Sequence, residues 1–241
     1  MLRSLAFRMS PVLAGLTFSV VANASTFSVS TPAGSNIGGQ PVNSTATFTT
    51  GAGTVTIDLF NNLTASQVND VSQNLSDLSF TLSGTFATNL VSDTNRTYTG
   101  TLINVGTNGA VTAGTGTFNG WDFSNTGSTF LLEDLGSTAG PAQTIIGGTA
   151  GSSTAYSNAN GSIDNNAPHN PFIQGVAHFT LNIAGVTAST NVTGATFSFG
   201  TTVGNNIPAT GFSTPIPEPV SSALMGIGLV SLFFLRRRIR S

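Results

Sequence analysis

Cysteine and lysine are both absent from the 241 residues, and only 7% of the chain is charged, against about a quarter in an ordinary soluble domain. Without cysteine there is no disulfide, no thiolate zinc site and no thiol nucleophile. Without lysine every basic residue is an arginine: Arg3 and Arg8 near one end, Arg236, Arg237, Arg238 and Arg240 near the other, and Arg96 alone in the body from Ser25 to Thr214. That body also holds eight of the nine acids, so its net charge is −7. Neutralising phosphates needs a basic surface, which excludes nucleic-acid binding as the function. Long apolar runs are missing too, except at the two ends.

Those ends read as addresses. Arg3 and Arg8 precede a mostly apolar segment from Pro11 to Val21, followed by Ala22-Asn23-Ala24, a small-x-small cleavage pattern. This order predicts a secretory signal peptide over residues 1–24, cut by signal peptidase so that the mature chain begins at Ser25. At the other end, Pro215-Ile216-Pro217-Glu218-Pro219 precedes an apolar run from Val220 to Leu235 and then the arginine cluster. A helix over that run spans about 24 Å at 1.5 Å per residue, short of a hydrocarbon core of about 30 Å. Snorkelling arginines and local thinning close the difference. Arginine excess marks the cytoplasmic side, so the body is expected outside the cytoplasm, as the signal peptide independently requires.

Pro217-Glu218-Pro219, the short apolar helix and the terminal arginines together resemble the PEP-CTERM sorting signal of Gram-negative bacteria, found on exported proteins handled by the membrane protease-transpeptidase exosortase. The match covers residues 217–241. The resemblance implies export, transient anchoring in the inner membrane, processing near the Pro-Glu-Pro site by exosortase, and release or transfer to the cell surface, often in species that make exopolysaccharide. Stretches of the body, Tyr156 to Ile163, Pro168 to Phe172 and Val192 to Thr201, are similar to parts of other PEP-CTERM proteins, which implies a shared fold and no known activity.

The domain organisation expected is therefore residues 1–24 as signal peptide, 25–214 as an exported β-rich domain, and 215–241 as the sorting signal. Thirteen of the 17 phenylalanines fall in the body with Trp121, Tyr98 and Tyr156, enough apolar bulk for one core and unlike a disordered stalk. Period-two alternation in Thr54 to Leu59, Ala177 to Ile183 and Ala195 to Phe199 predicts half-buried strands. Further short strands are expected around 46–50, 78–82, 98–105, 121–132 and 145–146, separated by Gly and Asn clusters that suit turns. The expected fold is mainly β: a single antiparallel sandwich or jelly-roll-like domain. Val68, Val71, Leu75 and Leu78 recur at helical spacing after Thr64 and Ser66, which predicts one short helix.

Residues able to do chemistry are few. Asp122, Glu133, Asp134, Asp164, His169 and His178 are the available acids and bases, and none forms a catalytic spacing; no catalytic residue and no cofactor is expected. Glu133 and Asp134 are adjacent and should face opposite sides of a strand. His178 falls on the wetter side of its strand, opposite Phe179 and Leu181. Asn158, Asn160 and Asp164 around Gly161 partly match a calcium loop, but Tyr156 and Ala167 occupy the first and closing ligand positions, so a polar turn is the competing reading. Asp93-Thr94-Asn95-Arg96-Thr97 is an extended acceptor sequence for glycosylation at Asn95.

Two functions follow. One is a structural or interaction protein of the cell surface or extracellular matrix, contacting exopolysaccharide. The other is a secreted carbohydrate-binding module or carbohydrate-active enzyme, for which Trp121, beside Asp122, Asn119 and Asn125, is the one aromatic flanked by hydrogen-bonding groups.

Overall fold

The computed structural model describes residues 24–90, 93–136, 140–212 and 216–217. The expected signal-peptide helix with Ala22, the residues Glu218 and Pro219, and the apolar run with Arg236, Arg237, Arg238 and Arg240 lie outside the described residues. Among the described residues no helix is long and apolar enough to cross a membrane.

Strands dominate, as a chain rich in Thr, Val, Ile and Phe with frequent glycine turns should have it. In chain order they are β1 (Ser25–Ser30), β2 (Asn36–Ile37), β3 (Gln40–Pro41), β4 (Ser44–Gly51), β5 (Thr54–Asn61), β6 (Leu75–Leu82), β7 (Arg96–Gly106), β8 (Ala110–Ala113), β9 (Asp122–Thr126), β10 (Thr129–Glu133), β11 (Ile145–Ile146), β12 (Phe172–Asn182), β13 (Val192–Phe199), β14 (Asn206–Pro208) and β15 (Ile216–Pro217). All but the small β2–β3 hairpin belong to one large mixed sheet.

That sheet has two wings. In one, β6 lies between β13 and β10, which extend to β14 and β9. In the other, β12 lies between β5 and β7, and the wing runs through β4 to β1 on one side and to β8 on the other. The two-residue strand β11 joins them: Ile145 pairs with Leu75 of β6 and with Ile173 of β12. The β11–β12 pair is parallel, so among the described residues the sheet is mixed where an antiparallel sandwich was expected.

The alternation read from the sequence becomes burial. Val55, Ile57 and Leu59 are fully buried, as are Phe179, Leu181 and Ile183, while Thr56, His178 and Thr180 face water. The inward rings bridge the wings: Phe48 of β4 meets Phe80 of β6 at 5.2 Å between ring centres, and Trp121 meets Phe179 of β12 at the same separation. Phe80 stacks in turn on Phe130. A second apolar cluster, including Leu63, Val68, Ile103, Ile146, Tyr156, Ile163 and Phe172, anchors the long excursion between β11 and β12.

The short helix expected around Val68 to Leu78 does not form. Two 3₁₀ turns, Ala65–Gln67 and Val71–Gln73, take its place, and Leu75 and Leu78 belong to β6. Asp70 caps the second turn by accepting from the Ser72 N–H at 2.8 Å. The apparent helical period arises because the start of β6 is buried on both faces, Leu75, Ser76, Asp77 and Leu78 alike, and a strand so enclosed loses its alternation.

At the end of the body, β15 pairs antiparallel with β1, Ser25 opposite Pro217 and Thr26 opposite Ile216. The segment at Ile216 and Pro217 therefore touches the fold through its pairing with β1. Two outcomes follow. Phe80→Ala should lower stability by about 3–5 kcal/mol, the cost of a large cavity under a stacked ring, read by urea denaturation. Deleting residues 217–241 should leave a cooperatively melting domain, because β1 keeps six paired residues on β4; aggregation of the truncated chain beside a folding full-length chain would refute this.

Candidate functional site

Where β5 ends, the second wing opens. Phe60 is the last β5 residue paired with β12, opposite Val176. The chain then turns away through Asn61, whose buried amide donates to the Gln73 and Ile145 carbonyls, both at 2.9 Å. On the facing strand the register slips between Ile173 and Ala177. Gly175 makes this bulge possible: its φ is +73°, and a Cβ there would strike the Gly148 carbonyl. A bulge re-aims the neighbouring side chain, and Gln174 is turned inward to 1% exposure.

Between these two irregular ends lies a cleft of about 430 Å³, within the usual size of a small-ligand site. Phe60 and Val176, both half-buried, give one apolar side. Asn62, Thr64, Thr149 and Thr154 give an exposed polar rim. Gln174 forms part of the lining, and its Nε2 donates to the Ser152 carbonyl at 3.0 Å and to Tyr156 Oη at 3.4 Å. Its Oε1 is buried and has no hydrogen-bond partner. Among the described residues no acid, arginine or histidine lines the cleft.

The residues singled out in the sequence lie elsewhere. Trp121 is fully buried and its indole N–H donates to the Gln143 carbonyl at 2.9 Å, so it is a core residue and offers no face to a sugar. Asn119 accepts from Gln143 Nε2 and Asn125 donates to the Ala87 and Gly127 carbonyls. Asn158 donates to the Ser66 carbonyl, Asn160 Oδ1 accepts from both the N–H and hydroxyl of Ser162, and Asp164 accepts from the Asn108 N–H. Asn160 Oδ1 and the Asp164 oxygen that meets Asn108 thus serve a turn, and no group of three or more His, Cys, Asp or Glu able to hold a metal occurs among the described residues. His169 Nδ1 contacts the Ser162 carbonyl at 2.6 Å. Asn95, half-buried, ends the 3₁₀ turn Asp93–Asn95 before β7.

His178 projects to solvent and meets Asp58 of β5 at 2.7 Å, its direct cross-strand neighbour. Both are about half exposed, so the pair is worth little to stability. Asp58, like Gln174, Phe60 and Asp77, went unnoticed in the sequence. The signal for Gln174 was present: Gln174-Gly175 interrupts the apolar run Phe172-Ile173 and Val176-Ala177, and glycine within a strand marks a bulge or close approach.

A second group of polar residues is a rung of carboxylates. Glu133 of β10 pairs with Asp77 on one side and Asp122 on the other. Asp77 Oδ1 accepts from the backbone N–H groups of Asp134 and Leu135 at 3.0 and 3.4 Å, a structural use. Asp122 lies 3.8 Å from Arg96. Asp134, just past the end of β10, is fully buried with neither oxygen hydrogen-bonded, while Glu133 is half-buried. Desolvation, with Asp77 and Asp122 adding to it, pushes its carboxyl up to about 9, so it is a neutral acid at pH 7.

Compared with family models, curated proteins and solved structures, the chain matches none.

Asp134 yields a pH prediction. Its carboxyl is raised in the folded state, so above about pH 4 the folded chain binds a proton that the unfolded chain has lost. Its contribution to stability therefore falls as pH rises from 4 toward 9, by up to about 1.4 kcal/mol per pH unit. Asp134→Asn should match the parent near pH 4 and exceed it in urea midpoint at pH 8. Parallel pH profiles for the two chains would contradict the assignment.

Proposed function

We propose that the protein is an exported cell-surface or extracellular-matrix component, held at the inner membrane by its C-terminal apolar segment until exosortase processes it. Its body is a structural or interaction module associated with exopolysaccharide, and the two wings of the sheet face each other as a sandwich.

One observation carries this reading. Ser25, the first residue after the expected signal-peptide cut, pairs with Pro217, the first residue of Pro-Glu-Pro. Both expected processing points therefore leave the body at one edge, the arrangement that suits a module presented from a single pole. The interior supports the same view, since its rings fill a core and its ionisable groups stand apart from the cleft. A second reading, a carbohydrate-binding module, is favoured by that cleft and by its charge-free lining. Catalysis by paired carboxylates would need acids flanking the ligand, and among the described residues none lines the cleft.

Mass spectrometry of the protein recovered from the cell surface tests the proposal directly. The expected mature chain starts at Ser25 and ends within or just before Pro217-Glu218-Pro219. Recovery of surface material that retains Met1 or the Arg236 to Arg240 cluster would overturn it.

A further inference from the structure

We propose that the cleft between Phe60 and Gln174 binds an uncharged saccharide. The inference deepens the proposed association with polysaccharide: it names the site and the class of sugar.

Four observations converge. Gln174, part of the lining, carries a buried acceptor, Oε1, with no hydrogen-bond partner, a costly state for an amide that a donor entering beside it would relieve. The side chain cannot simply turn over to escape, because its Nε2 is committed to Ser152 and Tyr156. Phe60 is half-buried on one side of the cleft, an aromatic surface against which the C–H face of a sugar ring packs. Around it Asn62, Thr64, Thr149 and Thr154 supply donors and acceptors without charge, the mixture a polyhydroxylated ligand needs.

Charge decides the class of sugar. Among the described residues no arginine lines the cleft, and the body as a whole is acidic, so a uronate or phosphorylated glycan gains no counter-charge and meets a repulsive field. An extended peptide is disfavoured for a separate reason. The backbone of β5 is paired on both sides, by β4 and β12, and β12 by β5 and β7, so no free edge is present there for strand addition.

The bulge makes the site rigid. Gly175 brings the backbone of β12 against Gly148, and the Gly148 N–H donates to the Leu63 carbonyl at 2.6 Å. The two walls are thus tied together beneath the opening, a pre-formed geometry that reduces the ordering cost of binding.

The test uses the full-length chain in a detergent without a sugar headgroup. Isothermal titration is run with four uncharged hexasaccharides, from cellulose, laminarin, mannan and chitin, and with tetragalacturonate. At least one uncharged hexasaccharide should bind with one-to-one stoichiometry, and tetragalacturonate at least 10-fold more weakly. Phe60→Ala should weaken binding at least 10-fold. Thr149→Trp, an exposed rim position that a bulky ring would block, should abolish it, and melting curves of both variants confirm that the fold survives. Binding unchanged in both folded variants would overturn the cleft while leaving a polysaccharide-associated protein in place. Equal binding of tetragalacturonate would overturn the uncharged class. Absence of binding to every hexasaccharide would overturn this inference, whereas the export reading stands or falls on the mature termini.

Discussion

The buried amide of Asn61 holds the corner on which the rest of the architecture depends. Its Nδ2 donates to Gln73, just ahead of β6, and to Ile145 of β11, so one side chain ties the end of β5 to the strand that joins both wings. Its Oδ1 accepts from the Leu63 N–H at 3.3 Å, which bends the chain away from β12. The two halves of the sheet are joined and the cleft is opened by the same residue. An apolar substitute would orphan two buried carbonyls, each worth about 1–3 kcal/mol.

Asn61 exemplifies how a chain with so little charge satisfies its interior. Buried ions are expensive to desolvate, and this protein uses amides where others use salt bridges. Gln143 accepts from Tyr98 Oη at 2.8 Å and from the Gly120 N–H, and donates to the Thr117 carbonyl. Gln73 receives the N–H groups of Asn69 and Asp70 and donates to Pro41. Each amide offers both donor and acceptor, so one side chain can fasten two loops. Against that pattern Gln174 and Asn74 stand out, since in each the donor is used and the acceptor is not.

Legibility from sequence followed the physics of burial. Strands with one wet face declared themselves: β5 and the C-terminal part of β12 alternate in sequence and in burial. Those enclosed on both faces did not, which is why Leu75 and Leu78 suggested a helix and proved to be β6. Trp121 showed the converse difficulty. Its polar neighbours Asn119 and Asn125 suggested an exposed ring, yet they hydrogen-bond other protein groups while the indole is buried. The cleft itself was illegible because it is built from the ends of elements. Phe60, Asn62, Thr149 and Gln174 lie up to 114 positions apart in the chain, and tertiary pairing brings them together, Phe60 opposite Val176 and the Gly148 N–H on the Leu63 carbonyl.

The same register logic bears on the C-terminal segment. A sheet edge with free N–H and C=O groups invites unwanted pairing, and β1 is such an edge, since only its inner side is filled by β4. Its outer side is met at Ser30 by Thr210 and at Ser25 and Thr26 by β15. Pro217, opposite Ser25, is the last described residue of that pairing, and as a proline it has no N–H to donate to a ladder. A cut beyond Pro217 would leave those contacts in place, whereas a cut upstream of Ile216 would strip the cover from Ser25 and Thr26.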